Sequence, residues 1–168
     1  TERDATKSVV DLAFNNERFD LALRYLEPLA KDSTDKQLKV RFAEILLRAG
    51  RSSDARTAFD TAVAGLTRDV GMEMLDGAIA MKLGDDLRAA GDIAKAQAAY
   101  ELSLTPYSRA KALAPFSPQP FIQDAMAKRK LFELGASARG PEALAAADRA
   151  VALGGALLAA SAIRSEVL

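Results

Sequence analysis

A chain of 168 residues with 23 basic and 23 acidic side chains has no net charge that would attract nucleic acid or an anionic membrane. It contains no cysteine and no histidine, which excludes disulfides, thiolate nucleophiles, zinc sites built on cysteine and every Ser-His or Cys-His catalytic pair. No apolar run approaches the roughly 18 residues that cross a bilayer, so we expect no direct membrane insertion. The chain begins at Thr1, so we expect it to be an excerpt of a longer protein, and its localisation is left open.

Apolar residues recur at intervals of three and four along the whole chain, and no segment alternates with period two. This pattern predicts an all-α fold of eight or nine helices. The predicted helices cover about residues 4–15 and 17–31, the stretch from Asp35 to Gly50, and about residues 52–65, 69–89, 93–105, 118–134, 141–153 and 156–167.

Several polar residues have the spacing of helix caps. Thr34 and Gln37 match a capping box, and Ser52 or Ser53 could accept a hydrogen bond from the first turn of the fourth helix. Asp92 is the predicted cap of the sixth helix.

Residues 105–120 form one irregular stretch that could include a short helix at 107–113. Ser117 is the predicted cap of the helix that opens at Pro118, since proline is tolerated in a first turn. The PFSPQPF segment could dock a partner or cover the edge of the helical array; we favour the cover, because phenylalanines seldom lie exposed.

A pattern of small and aromatic residues repeats along the chain. The best copies are 41 residues apart, and weaker copies precede and follow them. The two best copies are Gly50, Ala55, Phe59, Ala62 and Gly91, Ala96, Tyr100, Ser103; the weaker ones are Ala22, Leu26, Leu29 and Ala143, Ala147, Ala150.

This spacing resembles the tetratricopeptide repeat (TPR) family, whose 34-residue unit is a pair of antiparallel helices with small residues at their crossing. Leu83-Gly84 followed by Gly91, Ala96 and Tyr100 is the best match. The resemblance implies a single domain over residues 1–168, in which helical hairpins stack as a right-handed solenoid. Its units lie near residues 3–36, 36–69, 77–110 and 124–157, with a helical C-terminal cap at 156–167. An unrelated alanine-rich bundle is the alternative interpretation.

The resemblance also implies where a function would lie. In TPR proteins the first helix of each hairpin lines a concave groove that binds an extended peptide or a helix. We therefore expect a scaffold or adaptor, with a cell-envelope or secretion assembly as one setting; the alternative is a ligand-sensing regulatory domain of a larger signalling or transcription protein. The implied groove residues are Lys7, Asp11, Asn15, Val40, Glu44, Leu47, Arg48, Met81, Asp85, Arg88, Lys128 and Phe132.

The centre of the implied groove is acidic in three successive units, at Asp11, Glu44 and Asp85. Such a ladder favours a basic or neutral partner, and it differs from the lysine and asparagine clamp with which some TPR proteins hold an acidic C-terminus. A simpler interpretation pairs Glu44 with Arg48 and Asp85 with Arg88 on one helix, which needs no partner.

Met74, Ala78 and Met81 form a second stripe that we expect to pack against a neighbouring hairpin. The sparsely charged end, GGALLAASAIRSEVL, either packs inward on the eighth helix or mediates self-association. The sequence has no phosphate-binding loop and no nucleophile elbow, so we predict no catalysis, no cofactor and no metal.

Overall fold

The computed structural model describes residues 2–31, 33–154 and Ile163, and every regular element within them is an α-helix. This confirms the predicted all-α class. The helices are α1 Glu2–Asn15, α2 Phe19–Lys31, α3 Lys36–Arg48, α4 Ser52–Val63, α5 Val70–Ala89, α6 Ile93–Leu113, α7 Pro118–Glu133 and α8 Arg139–Ala152.

The chain divides into two compact units, residues 1–67 with α1 to α4 and residues 68–168 with α5 to α8. Within each unit, consecutive helices pack as hairpins, α1 on α2 and α3 on α4 in the first, α5 on α6 and α7 on α8 in the second. The second helix of the first hairpin also packs on the first helix of the next, α2 on α3 and α6 on α7. The single domain expected over residues 1–168 stays a prediction.

All four hairpin turns share one hydrogen-bond pattern. In the α3–α4 turn, the Arg51 amide donates to the Leu46 carbonyl at 2.9 Å, and the Gly50 amide donates to the Leu47 carbonyl at 3.0 Å. Gly50 has φ 79°, the left-handed conformation that ends helices in a Schellman motif. The corresponding residues of the other turns are Glu17, Gly91 and Gly135.

The repeated small residues lie where the two helices of a hairpin cross. Ala22, Ala55, Ala96 and Ala143 each have 0% exposure, one from each hairpin. A methyl side chain at this position lets two helix axes approach closely. The positions predicted from the repeat are therefore buried in all four hairpins.

The second unit begins with an unusually long hairpin, and here the predicted end of the sixth helix is wrong. We expected irregular structure from about residue 105, but α6 continues through Pro106 to Leu113. Proline has no amide to donate to the carbonyl of Leu102. Leu102 is 70% exposed, so water can satisfy that carbonyl, and Tyr107 in the next position is fully buried against α5.

Two of the predicted caps are wrong and one is confirmed. Asp35 caps α3 by accepting from the Leu38 amide at 3.2 Å, in place of the Thr34 capping box. Ser52 lies inside α4 and is buried, and the N-cap residue of that helix is Arg51, whose side chain makes no capping hydrogen bond. Asp92 caps α6 as predicted, accepting from the Lys95 amide at 3.2 Å.

Ser117 occupies the N-cap position of α7, but its side chain makes no capping hydrogen bond there. The prediction that the PFSPQPF segment covers its phenylalanines is wrong for Phe116, which is 82% exposed. Phe121 is half-buried, with the Lys111 and Arg149 cations 5.8 Å and 5.9 Å from its ring centroid.

The predicted ninth helix at 156–167 lies outside the described residues except for Ile163. Ile163 is helical, 2% exposed, and packs with Ala125, Ala143 and Ala147 from α7 and α8. At this position, the end of the chain packs inward.

Candidate partner-binding surface

The surface implied for partner binding is formed by α1 and α3 in the first unit and by α5 and α7 in the second. We call these two parts the first-helix surfaces and describe each within its own unit. In both units, ion pairs between partly exposed side chains join the two helices.

Arg41 is the centre of the first-helix surface of the first unit. Its guanidinium contacts Glu44 on its own helix at 2.6 Å (Nη1 to Oε2) and Asp11 on α1 at 3.7 Å (Nη2 to Oδ1). The same guanidinium lies 4.0 Å from the centroid of the Phe14 ring. One arginine thus pairs with two carboxylates and joins α1 to α3.

The pairing of Glu44 with Arg48 expected from the sequence is wrong, because Glu44 turns toward Arg41. Arg48 is exposed at the end of α3, where it lines a cavity of about 410 Å³ together with Arg18 and Arg24. Neither Arg41 nor Phe14 was predicted as a site residue; the three-residue spacing of Arg41 and Glu44 is the signal that could have indicated the pair.

The other predicted residues of this surface differ in accessibility. Lys7, Asp11 and Asn15 on α1 are exposed, whereas Val40 and Leu47 on α3 are half-buried. The side chain of Asp11 remains 66% exposed despite Arg41, so it is the most accessible carboxylate of the ladder.

Asp85 is the corresponding centre in the second unit. One of its oxygens, Oδ1, accepts from the Tyr100 hydroxyl at 2.7 Å and from the Lys130 ammonium on α7 at 2.6 Å. Burial, then the hydrogen bond to Asp85 and its negative charge, raise the pKa of Tyr100 well above its usual range. The hydroxyl therefore stays protonated and donates at neutral pH.

The expected pairing of Asp85 with Arg88 is also wrong. Arg88 donates to Glu133 on α7 at 2.8 Å, and this hydrogen bond is the main reason that the pKa of Arg88 is raised. Two ion pairs thus cross between α5 and α7, and each of the three ladder carboxylates, Asp11, Glu44 and Asp85, is paired with a cation.

Two predicted groove residues lie elsewhere. Met81 is 7% exposed and belongs to a buried cluster with Tyr100 and Leu131, with Met74 packed against it, so the methionine stripe packs between helices as expected. Lys128 contacts Asp124 at 3.0 Å and Glu142 at 3.6 Å, facing α8 and not the first-helix surface.

The turn register explains the error at Lys128. Counted back from Gly135, the residue equivalent to Asp85 is Arg129, which contacts Glu133 at 3.4 Å. The acidic ladder therefore ends in a cation in the fourth hairpin. Phe132, which was also predicted, is half-buried near the end of α7.

Neither a cluster of metal ligands nor a membrane-spanning helix is found in the part of the chain that the structure describes. No group of three or more potential metal ligands is found among residues 2–31, 33–154 and 163. None of the helices in these ranges is both long and apolar enough to span a bilayer.

The arrangement of helices is similar to a crystal structure of a thermophilic TPR protein from Thermus thermophilus. The TM-score is 0.70 at 23% sequence identity, and the match covers 91% of this chain and 74% of that one. The fold is TPR-like. No family model matches the sequence, and no curated protein matches it either. The family resemblance seen in the spacing of small and aromatic residues is thus confirmed as a fold.

Proposed function

We propose that this TPR-like chain is a noncatalytic interaction module that binds an extended peptide or a helix of a partner protein on its first-helix surfaces. The observation that supports this most is the pair of interhelical contacts around Arg41 and Lys130. They hold charged side chains in place before a partner arrives. Ordered side chains lower the entropic cost of binding.

The chemistry of the partner follows from these contacts. A basic segment would have to compete with Arg41 for Asp11 and Glu44, and with Lys130 for Asp85. An acidic segment would meet the same carboxylates. We therefore propose that the partner segment is neutral and polar, making hydrogen bonds to exposed groups such as the Asn15 amide.

Site-specific photo-crosslinking tests the surface directly. A benzophenone amino acid at Asn15, exposed on α1, should crosslink to partner proteins in cells that produce the full-length protein. The same group at Tyr25, which is 44% exposed on α2, is the control. Equal crosslinking of the same proteins from both positions contradicts the proposal.

Charge reversal provides an independent test. Arg48→Glu should weaken capture of the crosslinked partner, whereas Arg149→Glu should leave it unchanged. Both arginines are exposed and lie in the last turn of a helix, so the two reversals act equally on the helix dipole. The identity of the captured protein then separates the cell-envelope or secretion setting from a role in regulation or signalling.

A further inference from the structure

A cavity of about 420 Å³ lies in the first unit between α2, α3 and α4. Its wall is apolar where Ala30, Phe42, Leu46 and Ala58 line it. This volume lies within the range of about 300–1,000 Å³ found for small-molecule sites. No predicted first-helix residue lines the cavity, so it is separate from the proposed partner surface.

The charged lining of this cavity is asymmetric. Arg51 is paired with Asp54 at 2.7 Å, whereas Lys31 and Lys39 form no ion pair with any side chain in the described ranges. Glu27 is the remaining charged residue of the lining. The lining therefore has three basic and two acidic side chains.

The two lysines share one end of the cavity. Lys31 is the last residue of α2, and Lys39 lies in the first turn of α3. Because α3 and α4 are antiparallel, this end also includes Thr61 near the end of α4, while Arg51 and Asp54 lie at the opposite end.

The threonines of the lining offer acceptors but no protons. The Thr57 hydroxyl donates to the Ser53 carbonyl at 3.2 Å, and the Thr61 hydroxyl donates to the Thr57 carbonyl at 2.9 Å. The donors left at the lysine end are therefore the two ammonium groups. A ligand that accepts two charge-assisted hydrogen bonds there matches this arrangement.

We infer that this cavity binds an organic carboxylate with an apolar body. The apolar body packs on Phe42, Leu46 and Ala58, and the carboxylate accepts from the ammonium groups of Lys31 and Lys39. A free small acid and the C-terminal residue of a peptide share this chemistry.

The test is a titration of the ¹⁵N-labelled protein with 2-naphthoate and, separately, with its neutral amide, 2-naphthamide. The acid should shift amide signals of α2, α3 and α4 and should bind about fivefold more tightly than the amide, the ratio expected for partly exposed ion pairs. Shifts outside these helices, or equal affinities for acid and amide, overturn the inference.

Variants separate the charge from the cavity. Lys31→Gln/Lys39→Gln should remove the preference for the acid while leaving binding of the amide unchanged. Lys82→Gln/Lys95→Gln makes the same change at two lysines of the second unit, whose side chains are 42% and 74% exposed and lie outside the cavity, and should keep the preference. Ala58→Trp fills the cavity and should abolish binding of both compounds. An unchanged preference in Lys31→Gln/Lys39→Gln excludes the assigned site, whether or not the tryptophan variant folds.

A second pair of probes identifies the source of the carboxylate. N-acetyl-Gly-Gly-Phe with a free C-terminus is compared with the same peptide carrying a C-terminal amide. Binding of the free acid with shifts in α2 to α4 indicates a peptide terminus. Binding of 2-naphthoate alone indicates a free small acid. Absence of binding by both acids overturns the inference, without bearing on the first-helix surfaces.

Discussion

The ring of Tyr107 lies directly against the backbone of Gly77: a Cβ atom on Gly77 would lie only 2.3 Å from Tyr107 Cε1. Tyr100 and Gly84 repeat this contact seven residues away on each helix, where the corresponding distance is 2.4 Å. Both tyrosines are fully buried. Two glycine–tyrosine contacts therefore hold the long α5–α6 hairpin together.

Gly77→Ala should destabilise the protein by up to about 2 kcal/mol. Overpacking costs about 1–3 kcal/mol, and the better helix propensity of alanine offsets up to about 1 kcal/mol of it. Gly71→Ala is the control on the same helix, because Gly71 is exposed and its Cβ would meet only the Asp69 carboxylate, at 3.3 Å. Urea denaturation measures both. A Gly77→Ala variant as stable as Gly71→Ala would contradict the close contact, and Tyr107→Leu should partly rescue it.

The two tyrosines should respond oppositely to loss of the hydroxyl group. The Tyr107 hydroxyl is buried and has no hydrogen-bond partner among the described residues, whereas the Tyr100 hydroxyl donates to Asp85. Tyr107→Phe should therefore be neutral or slightly stabilising, and Tyr100→Phe should cost about 1–2 kcal/mol. Thermal unfolding of the two variants, which lose the same atom, provides the comparison. Equal losses would mean that the Tyr107 hydroxyl has a partner.

Stability at alkaline pH should depend on Tyr107. Burial, followed by the negative charges of Asp124 and Asp76, raises the pKa of Tyr107 above its usual value. In the unfolded chain a tyrosine titrates near pH 10, so the folded state binds this proton more tightly. The free energy of unfolding should be unaffected by this group below pH 10 and should fall by about 1.4 kcal/mol per pH unit above it.

Urea denaturation at several pH values from 8 to 11.5 checks this prediction, since the limits bracket the titration of an unfolded tyrosine at about pH 10. Tyr107→Phe should show a shallower loss of stability above pH 10 than the natural sequence. Identical slopes would show that Tyr107 ionises as easily in the folded as in the unfolded state.

Most of the helices could be predicted because the signals that define them are local. Gly50 and Gly91 end α3 and α5 in the left-handed conformation, and the apolar period of each helix lies within its own segment. The continuation of α6 through Pro106 could not be predicted in this way. Its cause is the packing of Tyr107 on Gly77, a contact between residues 30 positions apart in the sequence.

The positions of the acidic side chains on the first helices were more predictable than the cations that pair with them. Register places Asp11, Glu44 and Asp85 where the structure has them, but Glu44 had an arginine within reach on either side of it. The cation beside Asp85 is Lys130, 45 residues away, and no local pattern identifies it. Lys128 was assigned to the wrong position because the residue spacing along the fourth hairpin differs from that of the other three hairpins.

The carboxylate of Asp124 is buried between two lysines. Its side chain is 2% exposed and lies 2.8 Å from the Lys111 ammonium on α6 and 3.0 Å from the Lys128 ammonium on α7. Asp124→Asn should cost about 3–5 kcal/mol, because it leaves the largely buried Lys111 without a counterion and leaves Lys128 only the more distant Glu142, at 3.6 Å. Asp54→Asn is the matched control, since Asp54 pairs with Arg51 at 2.7 Å but both side chains are about half exposed; it should cost at most about 1 kcal/mol.

Added salt and a compensating variant distinguish the electrostatic contribution of Asp124 to stability from its packing contribution. Added salt should weaken the effect of Asp54→Asn and leave that of Asp124→Asn nearly unchanged, because solvent ions screen exposed pairs far more than buried ones. Replacing the three charged groups together, with Lys111→Met, Asp124→Leu and Lys128→Met, should recover most of the lost stability, since the penalty comes from the unpaired charges. Urea midpoints at low and high salt measure these effects. If Asp124→Asn costs no more than Asp54→Asn, the two lysines do not depend on this carboxylate, and α6 and α7 are held together by apolar packing alone.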